Sequence, residues 1–365
     1  MKNMKKYLII LSSLFIASCA SDEKFEDLNR DPNNPTAVSS EALFTSATKN
    51  LFDQMESTNV NSNIYRLLSQ YWTETTYIDE SNYDFNTRNI PQNHWSRIYR
   101  DVLFDLQDAK KLASNDKQKA MISVIEVYAW QQMVDTFGDI PYTDALKGAE
   151  EPTPAYTDDA AIYADLIIRI NDAIAKLNGA GAGYTSADII FGGNTAKWKK
   201  FANSVKLKLA MRMADANNTA AQTAAQEAVT AGVLTSNSDN VILNYLGSTP
   251  NTNPIWVDLV QSGRSDFLPA NTIVNFMNAK SDPRRAYYFD NNLGANVYSG
   301  ANYGAVSNFA SYSHIGTAIH EPTFRGVLVD YSEVRFLLAE AVERGYAVGG
   351  TAAEHYTAAI EANMT

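Results

Sequence analysis

Apolar side chains recur at steps of three and four residues along most of the chain, which is the spacing of amphipathic helices. Residues 94–113, 159–178 and 197–214 each carry one apolar stripe, whereas residues 118–137 carry two. A helix that is apolar on two faces is expected to lie between neighbouring helices. The pattern therefore predicts a largely helical body in which the 118–137 helix is packed on both sides.

The last part of the chain predicts a helical hairpin. Asp330 with Glu333, and Thr351 with Glu354, have the spacing of capping boxes, and a glycine-containing link separates the two helices that they open. The pair resembles one tetratricopeptide-type unit, although the consensus of that repeat is not clearly found elsewhere in the chain. The sequence stops inside the second helix, so we expect the domain to be truncated at its C-terminus.

Two expectations about side chains follow from these helices. The second helix of the hairpin is expected to turn Tyr356 and Ile360 inward. The helix at 197–214 carries basic residues at its polar positions, and we expect them to form a solvated face: Lys199, Lys200, Lys206, Lys208 and Arg212.

Two segments lack a helical period and predict loops. Residues 287–312 contain five tyrosines and five asparagines, and residues 71–95 interleave aromatic with polar and charged side chains. Asparagine and glycine favour turns, so a long irregular surface segment, with or without short strands, is expected at 287–312. Long irregular segments in compact domains are usually functional or disordered, and the aromatic content here argues against disorder.

Residues 1–18 are laid out like a signal peptide. Three lysines precede an uncharged run over residues 7–17, and Ile16-Ala17-Ser18-Cys19 resembles a bacterial lipobox. The run is shorter than the roughly 20 residues of a membrane-spanning helix. Cys19 is the only cysteine of the chain, so it forms neither an intrachain disulfide nor a cysteine-rich metal site. We expect lipid attachment at Cys19; an ordinary secretory signal is the alternative.

Residues 19–40 are expected to be a lipidated, flexible tether, and residues 41–365 a single helical domain. The tether is polar, and its Asp31-Pro32-Asn33-Asn34-Pro35 stretch precludes a helix. Its first residues after the cysteine, Ala20-Ser21-Asp22-Glu23, resemble the acidic signal that sends Bacteroidetes lipoproteins to the outer face of the outer membrane. A solvated acidic tether without that meaning is the alternative.

Charge and motifs disfavour several classes of function. The chain has a net charge of -11, and nucleic acids require a basic surface. The four histidines have no metal-ligand or catalytic-triad spacing. A glycosidase needs only two suitably separated carboxylates, and with 41 acidic residues a lipoprotein glycoside hydrolase remains an alternative. We expect no cofactor. The sequence does not decide whether a structural calcium ion binds among the Asp/Asn loops.

Tyrosines in the irregular segments suggest sugar binding. A sugar ring has apolar C–H faces rimmed by hydroxyls, and stiff amphipathic tyrosines can stack on such faces while polar neighbours bind the rim. The candidate ligand-binding residues are Tyr77, Tyr83, Arg264, Tyr298 and Tyr303. For the loop tyrosines the alternative is packing, and for Arg264 it is an ion pair with Asp266.

Several stretches together resemble the SusD/RagB family of outer-membrane lipoproteins. They are the lipobox, "LNRDPNNPT", "VYAWQQMVDTFGDIPYTDAL", "KWKKFANSVKLKLAMRMAD", "NPIWVDLVQSGRSDF", "DPRRAYYF" and "EVRFLLAEAVERG". They occur in this order over nearly the whole chain, which is similar in particular to the SusD-like branch described as starch-binding and outer-membrane-associated.

The resemblance implies a mostly α-helical, tetratricopeptide-like, right-handed helical scaffold with a loop-rich irregular face and few short strands. It also implies a non-catalytic, lipid-anchored protein at the cell surface that captures oligosaccharides and delivers them to a SusC-like TonB-dependent transporter. Oligopeptides are the alternative ligand class, and a purely structural role beside the transporter is a further alternative.

Overall fold

The computed structural model describes residues 38–365. The predicted signal peptide, the lipidation site Cys19 and nearly all of the predicted tether lie outside the described residues. From Ser40 to Thr365 the chain forms one compact unit. Within residues 38–365, none of the helices combines the length and the hydropathy that a membrane span requires.

Helices make up most of this unit. In order they are α1 (Ser40–Glu56), α2 (Tyr65–Leu68), α3 (Ile90–Ser96), α4 (Phe104–Leu112), α5 (Asp116–Phe137), α6 (Asp159–Leu177), α7 (Thr195–Arg212), α8 (Asn218–Ala231), α9 (Pro254–Trp256), α10 (Asn271–Ala279), α11 (Arg285–Tyr288), α12 (Tyr331–Glu343) and α13 (Ala352–Met364). A π-helical turn, Arg97–Leu103, joins α3 to α4, and a second one, Val257–Gln261, follows α9.

Consecutive long helices pack against each other. α5 packs against α6, α7 against α8 and α12 against α13, while α1 packs against α4 and the π-helical turn before it. Most side chains of α5 are buried, including Ile122, Val127 and Trp130, because α5 also contacts α4 and α7. The two apolar stripes at 118–137 therefore face separate neighbours, as predicted.

Side-chain caps fix the ends of the helical hairpin. The side chain of Thr351 accepts a hydrogen bond from Glu354 N, and the Glu354 carboxylate accepts one from Thr351 N in return. Asp330 caps α12 by accepting from Glu333 N at 2.6 Å. Caps of this kind stabilise a helix by about 1 kcal/mol each, so both predicted helix starts have a physical basis.

Six short strands form three two-stranded antiparallel sheets. The strands are β1 (Trp72–Glu74), β2 (Ile140–Pro141), β3 (Tyr156–Thr157), β4 (Val241–Leu243), β5 (Phe267–Pro269) and β6 (Gly326–Val329), counted over the described residues, and the pairs are β1–β5, β2–β3 and β4–β6. In the first sheet Trp72 lies opposite Pro269, and Glu74 lies opposite Phe267. The predicted irregular segment at 287–312 begins inside α11 and contains no strand. A mostly helical fold with few short strands is confirmed.

Of the basic run on α7, only Arg212 is exposed, at 55% of its side chain, so the predicted solvated face is wrong for the other four residues. Lys206 is buried, with its Nζ 2.5 Å from the Glu227 carboxylate, and Lys208 lies half-buried with its Nζ 2.8 Å from Glu333. The reason is that α7 packs against α8 on one side and α12 on another, so its polar positions meet acidic partners on neighbouring helices.

The inward face of α13 differs from the prediction by one residue. His355 and Ala359 are buried, whereas Tyr356 is 55% exposed and Ile360 is half-buried. His355 can be buried because its Nε2 pairs with the carbonyl oxygen of Gly349 at 2.8 Å. The apolar character of Tyr356 therefore does not decide which side of the helix faces the core.

Candidate functional site

A cavity of about 280 Å³ opens at the end of the β1–β5 sheet where Glu74 faces Phe267. Three separate parts of the chain line it: Thr58, Asn59, Val60 and Asn61 after α1; Glu74, Thr76, Tyr77 and Arg88 from β1 and the loop that follows; and Asp258, Arg264, Asp266 and Phe267 before and within β5. We call it the Tyr77 cavity. It contains two of the predicted ligand-binding residues, Tyr77 and Arg264.

Hydrogen bonds beyond the sheet hold two of these parts together. The Thr75 N–H donates to the Asp266 carbonyl oxygen at 2.8 Å, and the Thr75 hydroxyl donates to the Ser265 carbonyl oxygen at 2.8 Å. They continue the β1–β5 pairing past Glu74. As a result, the loop that carries Arg264 is fixed against the segment that leads to Tyr77.

Tyr77 contributes an exposed aromatic ring to the cavity wall. Its side chain is 74% exposed, and the Arg88 guanidinium carbon lies 6.0 Å from its ring centroid. That distance is at the outer limit of a cation–π contact. A stiff, exposed ring next to polar groups can stack on the apolar face of a sugar.

Residues with strained backbone angles are concentrated in the part of the sequence around Tyr77. Of the seven non-glycine residues with positive φ in the described part of the chain, four lie between residues 70 and 89, with φ from 51° to 64°: Gln70, Tyr77, Tyr83 and Asn89. Such conformations cost on the order of 1–3 kcal/mol each and gather at ligand sites. Three of the four, Tyr77, Tyr83 and Asn89, lie in the segment between β1 and α3, which favours a functional role for that segment.

A buried pair of carboxyl groups lies behind Arg88. Glu80 is fully buried and its Oε2 accepts from Arg88 Nη1 at 2.7 Å. Glu74 is also buried, and its Oε2 accepts from the N–H and the hydroxyl of Ser81 at 3.0 Å and 2.9 Å. Burial raises the pKa of Glu74 to about 8, and the neighbouring carboxyl group of Glu80 is the second largest cause of this shift. Glu74 therefore carries a proton at neutral pH, and Glu80 anchors Arg88 on the cavity wall.

Arg264 is paired on the opposite side of the cavity wall. Its Nε lies 2.8 Å from Asp266 Oδ2, which is the ion pair that the sequence left as the alternative. The Arg264 side chain is nevertheless 65% exposed, so its remaining N–H groups are accessible. Asp258 accepts from the Thr58 hydroxyl at 2.8 Å, and burial raises its pKa.

Tyr83 and Tyr303 lie together, but they do not line the Tyr77 cavity. Their ring centroids are 6.3 Å apart. The Tyr83 hydroxyl accepts from Gln70 Nε2 at 3.2 Å, and the Tyr303 hydroxyl donates to the Leu67 carbonyl oxygen at 2.8 Å. Tyr83 is 52% exposed, whereas Tyr303 is half-buried, so Tyr83 is the more accessible of the two.

Tyr298 lies inside the protein. It is 8% exposed and packs against Phe289, at 6.0 Å between ring centroids, in a small core cluster with Val274 and Met277. A buried ring cannot contact a ligand without local opening of this cluster. We therefore exclude Tyr298 from the candidate site.

A second, larger depression of about 520 Å³ lies at the Trp72 end of the same sheet. Its wall includes the exposed aromatic residues Tyr71, Phe276 and Tyr287, together with parts of α12 and α13. We call it the aromatic groove. None of the predicted ligand-binding residues lines it.

Three exposed carboxylates could approach a common cation. Oxygen atoms of Asp139, Asp158 and Asp159 lie within 4.8 Å of one another at the start of α6. Exposed acidic groups of this kind are common without an ion, so the cluster assigns no calcium site.

Sequence reasoning missed most of the cavity wall. The polar run at 57–63, "STNVNSN", stands out between two helices and could have indicated a loop with hydrogen-bonding groups. Glu74 and Arg88 lie in the polar and aromatic segment at 71–95, but nothing in the sequence indicated their buried pairing with Glu80.

Comparison with known proteins gives one family and several solved structures. The model of the SusD-like family described as "Starch-binding associating with outer membrane" matches residues 32–365. A chitin-binding SusD homolog from Flavobacterium johnsoniae is 27% identical, with a TM-score of 0.76 over 88% of this chain and 70% of that chain. A SusD homolog from Bacteroides uniformis is 26% identical, with a TM-score of 0.73 over the same shares.

A further structure, named a chitin-binding protein, is 24% identical with a TM-score of 0.76 over 89% of this chain and 74% of that chain. None of the curated proteins compared matches the chain in sequence. The similar structures confirm the mostly helical, tetratricopeptide-like fold class.

Proposed function

The chain belongs to the SusD-like family of starch-binding proteins that associate with the outer membrane, and we propose that it binds an oligosaccharide in the Tyr77 cavity. The observation that carries the proposal is the exposed ring of Tyr77, which is held in a strained loop beside Arg88 and Arg264. Two similar structures named as chitin-binding support a glycan as the ligand class.

The rest of the cavity wall has the groups that a sugar rim needs. The Thr76 hydroxyl and the amides of Asn59 and Asn61 can each donate and accept hydrogen bonds, whereas the proton of the Thr58 hydroxyl is already donated to Asp258. A cavity of about 280 Å³ is at the lower end of ligand sites, which run from about 300 to 1,000 Å³. The size is suited to one or two sugar units of a longer chain that extends across the surface.

The protein acts at the cell surface in this proposal. Lipid attached to Cys19 would hold the helical body at the outer membrane, and the glycan would pass to a SusC-like TonB-dependent transporter. The lipobox-like sequence before Cys19 and the outer-membrane association of the family support this arrangement. More than one acyl chain is needed for firm anchoring, because each buried methylene contributes only about 0.8 kcal/mol.

We propose that binding occurs without hydrolysis. A glycosidase places two carboxyl groups about 5–9.5 Å apart on either side of the scissile bond. Glu74 and Glu80 instead contact each other, and Glu80 is fully buried beneath Arg88. This pair cannot flank a sugar, so it does not serve as the two carboxyl groups of a glycosidase.

Isothermal titration calorimetry of the purified protein tests the proposed function. The panel contains maltohexaose, the N-acetylglucosamine hexamer and a mixture of oligopeptides. We expect heat of binding with at least one hexasaccharide, none with the peptides and no released reducing sugar after prolonged incubation. Binding of peptides alone would overturn the proposed ligand class, and released reducing sugar would overturn the non-catalytic role.

A further inference from the structure

We propose that the Tyr77 cavity selects uncharged oligosaccharides and rejects anionic ones, such as glycans that contain uronic acids. This inference rests on the proposed function, because it concerns the ligand class of the same cavity. It follows from how the charged groups on the wall are already paired.

Both arginines on the wall are engaged by carboxylates of the protein. Arg88 Nη1 lies 2.7 Å from Glu80 Oε2, and Arg88 Nη2 lies 3.5 Å from Asp79 Oδ2. Arg264 Nε lies 2.8 Å from Asp266 Oδ2. A ligand carboxylate that approached either guanidinium would therefore have to compete with a side-chain carboxylate of the protein that is already paired with it.

Carboxyl groups outnumber guanidinium groups on the wall. Asp258 and Asp266 line the cavity together with the two arginines, and Glu80 and Asp79 pair with Arg88 from behind, so four carboxyl groups surround two guanidinium groups even without the protonated Glu74. The net charge of -11 of the whole chain adds a negative field around the opening. The carboxylate of an anionic sugar would lose hydrating water on entry, and it would find no arginine without a carboxylate partner to compensate for that loss.

An uncharged sugar meets none of these penalties. Its hydroxyls can accept from the N–H groups of Arg264 that Asp266 leaves free, and they can donate to carboxylate oxygens without breaking an existing pair. At the same time, the apolar face of the sugar ring can stack on the ring of Tyr77, and this stacking requires no charge on the sugar.

Calorimetry with matched ligands tests the selectivity. The ligands are the N-acetylglucosamine hexamer, maltohexaose and the galacturonate hexamer, and the proteins are the wild type and Asp266→Asn. We expect the wild type to bind the galacturonate hexamer at least about tenfold more weakly than its best neutral ligand, which corresponds to about 1.4 kcal/mol. In Asp266→Asn the affinity ratio of galacturonate to neutral hexamer should rise at least about fivefold, because Arg264 becomes available for a charge-assisted hydrogen bond.

The matched control is Asp215→Asn. Asp215 pairs with Arg344 at 2.7 Å, and neither residue lines the cavity, so this variant removes the same charge away from the cavity, while Arg344 keeps its second partner Glu340. Its affinity ratio should equal that of the wild type. Melting temperatures of both variants show whether they remain folded.

The outcomes separate the selectivity from the proposed function. Equal or tighter binding of the galacturonate hexamer by the wild type would overturn the selectivity, while the role in glycan binding would stand. An unchanged ratio in Asp266→Asn would also overturn it. Failure to bind any of the three hexamers would contradict the proposed function itself and, with it, this inference.

Discussion

Tyr77 is the exposed aromatic residue of the Tyr77 cavity. Its replacement by alanine should weaken glycan binding by at least about tenfold, because stacking on an aromatic ring contributes about 0.5–1.5 kcal/mol beyond the area that it buries. The melting temperature should change little, since the side chain is 74% exposed. Calorimetry and thermal unfolding check both expectations.

Tyr287→Ala is the matched control for Tyr77→Ala. Tyr287 is 70% exposed and lines the aromatic groove instead of the Tyr77 cavity. Its replacement should leave glycan affinity unchanged. If Tyr287→Ala lost binding while Tyr77→Ala kept it, the ligand site would have to be moved to the aromatic groove.

Glu74 should make folding stability depend on pH. Burial and the neighbouring Glu80 raise the pKa of Glu74 from 4.5 to about 8, so the folded chain holds a proton that the unfolded chain releases. The free energy of unfolding should therefore fall as the pH rises from about 4.5 to about 8. Urea denaturation across this range should show a smaller fall in Glu74→Gln, whose neutral amide has no proton to lose.

The comparison for Glu74→Gln is Glu343→Gln, which changes an exposed carboxylate of α12. This variant should retain the decline of stability seen in the wild type. A decline in Glu74→Gln as steep as that of the wild type would show that another group causes it.

Single residues in the loops were predicted with uneven success. Tyr77 and Arg264 meet in one cavity, whereas Tyr298, from an equally irregular segment, packs into a small core. The composition of a loop indicates that it leaves the helical body. It does not indicate which of its rings folds back, because that depends on partners such as Phe289 in the folded chain.

At the scale of elements, the turn before α7 depends on one buried carboxylate. Asp188 is 4% exposed and accepts from the backbone N–H groups of Ile190, Phe191 and Gly193 and from the indole N–H of Trp198. Asp188→Ala leaves these donors without a partner and should destabilise the fold by about 3 kcal/mol in urea denaturation.

Asp172→Ala provides the control for that turn. Asp172 is exposed and pairs only with Lys176 on the same helix, so its loss should cost less than about 0.5 kcal/mol. If Asp188→Ala were as mild as Asp172→Ala, the turn would be held by other contacts.

Helices were predictable because their signals are local. The double stripe of α5 and the capping residues of α12 and α13 depend on residues a few positions apart. The sheet β1–β5 was not predictable, since it joins segments that are far apart in the sequence and only three residues long each. The burial of Lys206 on α7 was missed for the same reason, because its partner Glu227 belongs to another helix.

For the whole molecule, the proposed lipid anchor makes a prediction in cells. Cys19→Ser removes the sulfur that would carry lipid, so the protein should move from the membrane fraction to the soluble fraction. Ser21→Ala, two residues further on, should leave it in the membrane fraction. Fractionation followed by immunoblotting measures this, and membrane retention of Cys19→Ser would contradict lipid attachment at this residue.

The family and its fold could be predicted from the order of several sequence stretches along nearly the whole chain, and the family match over residues 32–365 confirms them. The cavity wall could not be predicted in the same way. The β1–β5 sheet joins the loop after β1 to the loop before β5, Glu80 holds Arg88 in place, and the hydrogen bond from Thr58 to Asp258 connects the segment after α1.

Binding of an oligosaccharide in the Tyr77 cavity can be seen directly in a crystal structure of the protein with the hexasaccharide that binds best in calorimetry. We expect electron density for a sugar ring stacked on Tyr77, within hydrogen-bonding distance of Arg264. Density for the glycan in the aromatic groove, with the Tyr77 cavity empty, would contradict it.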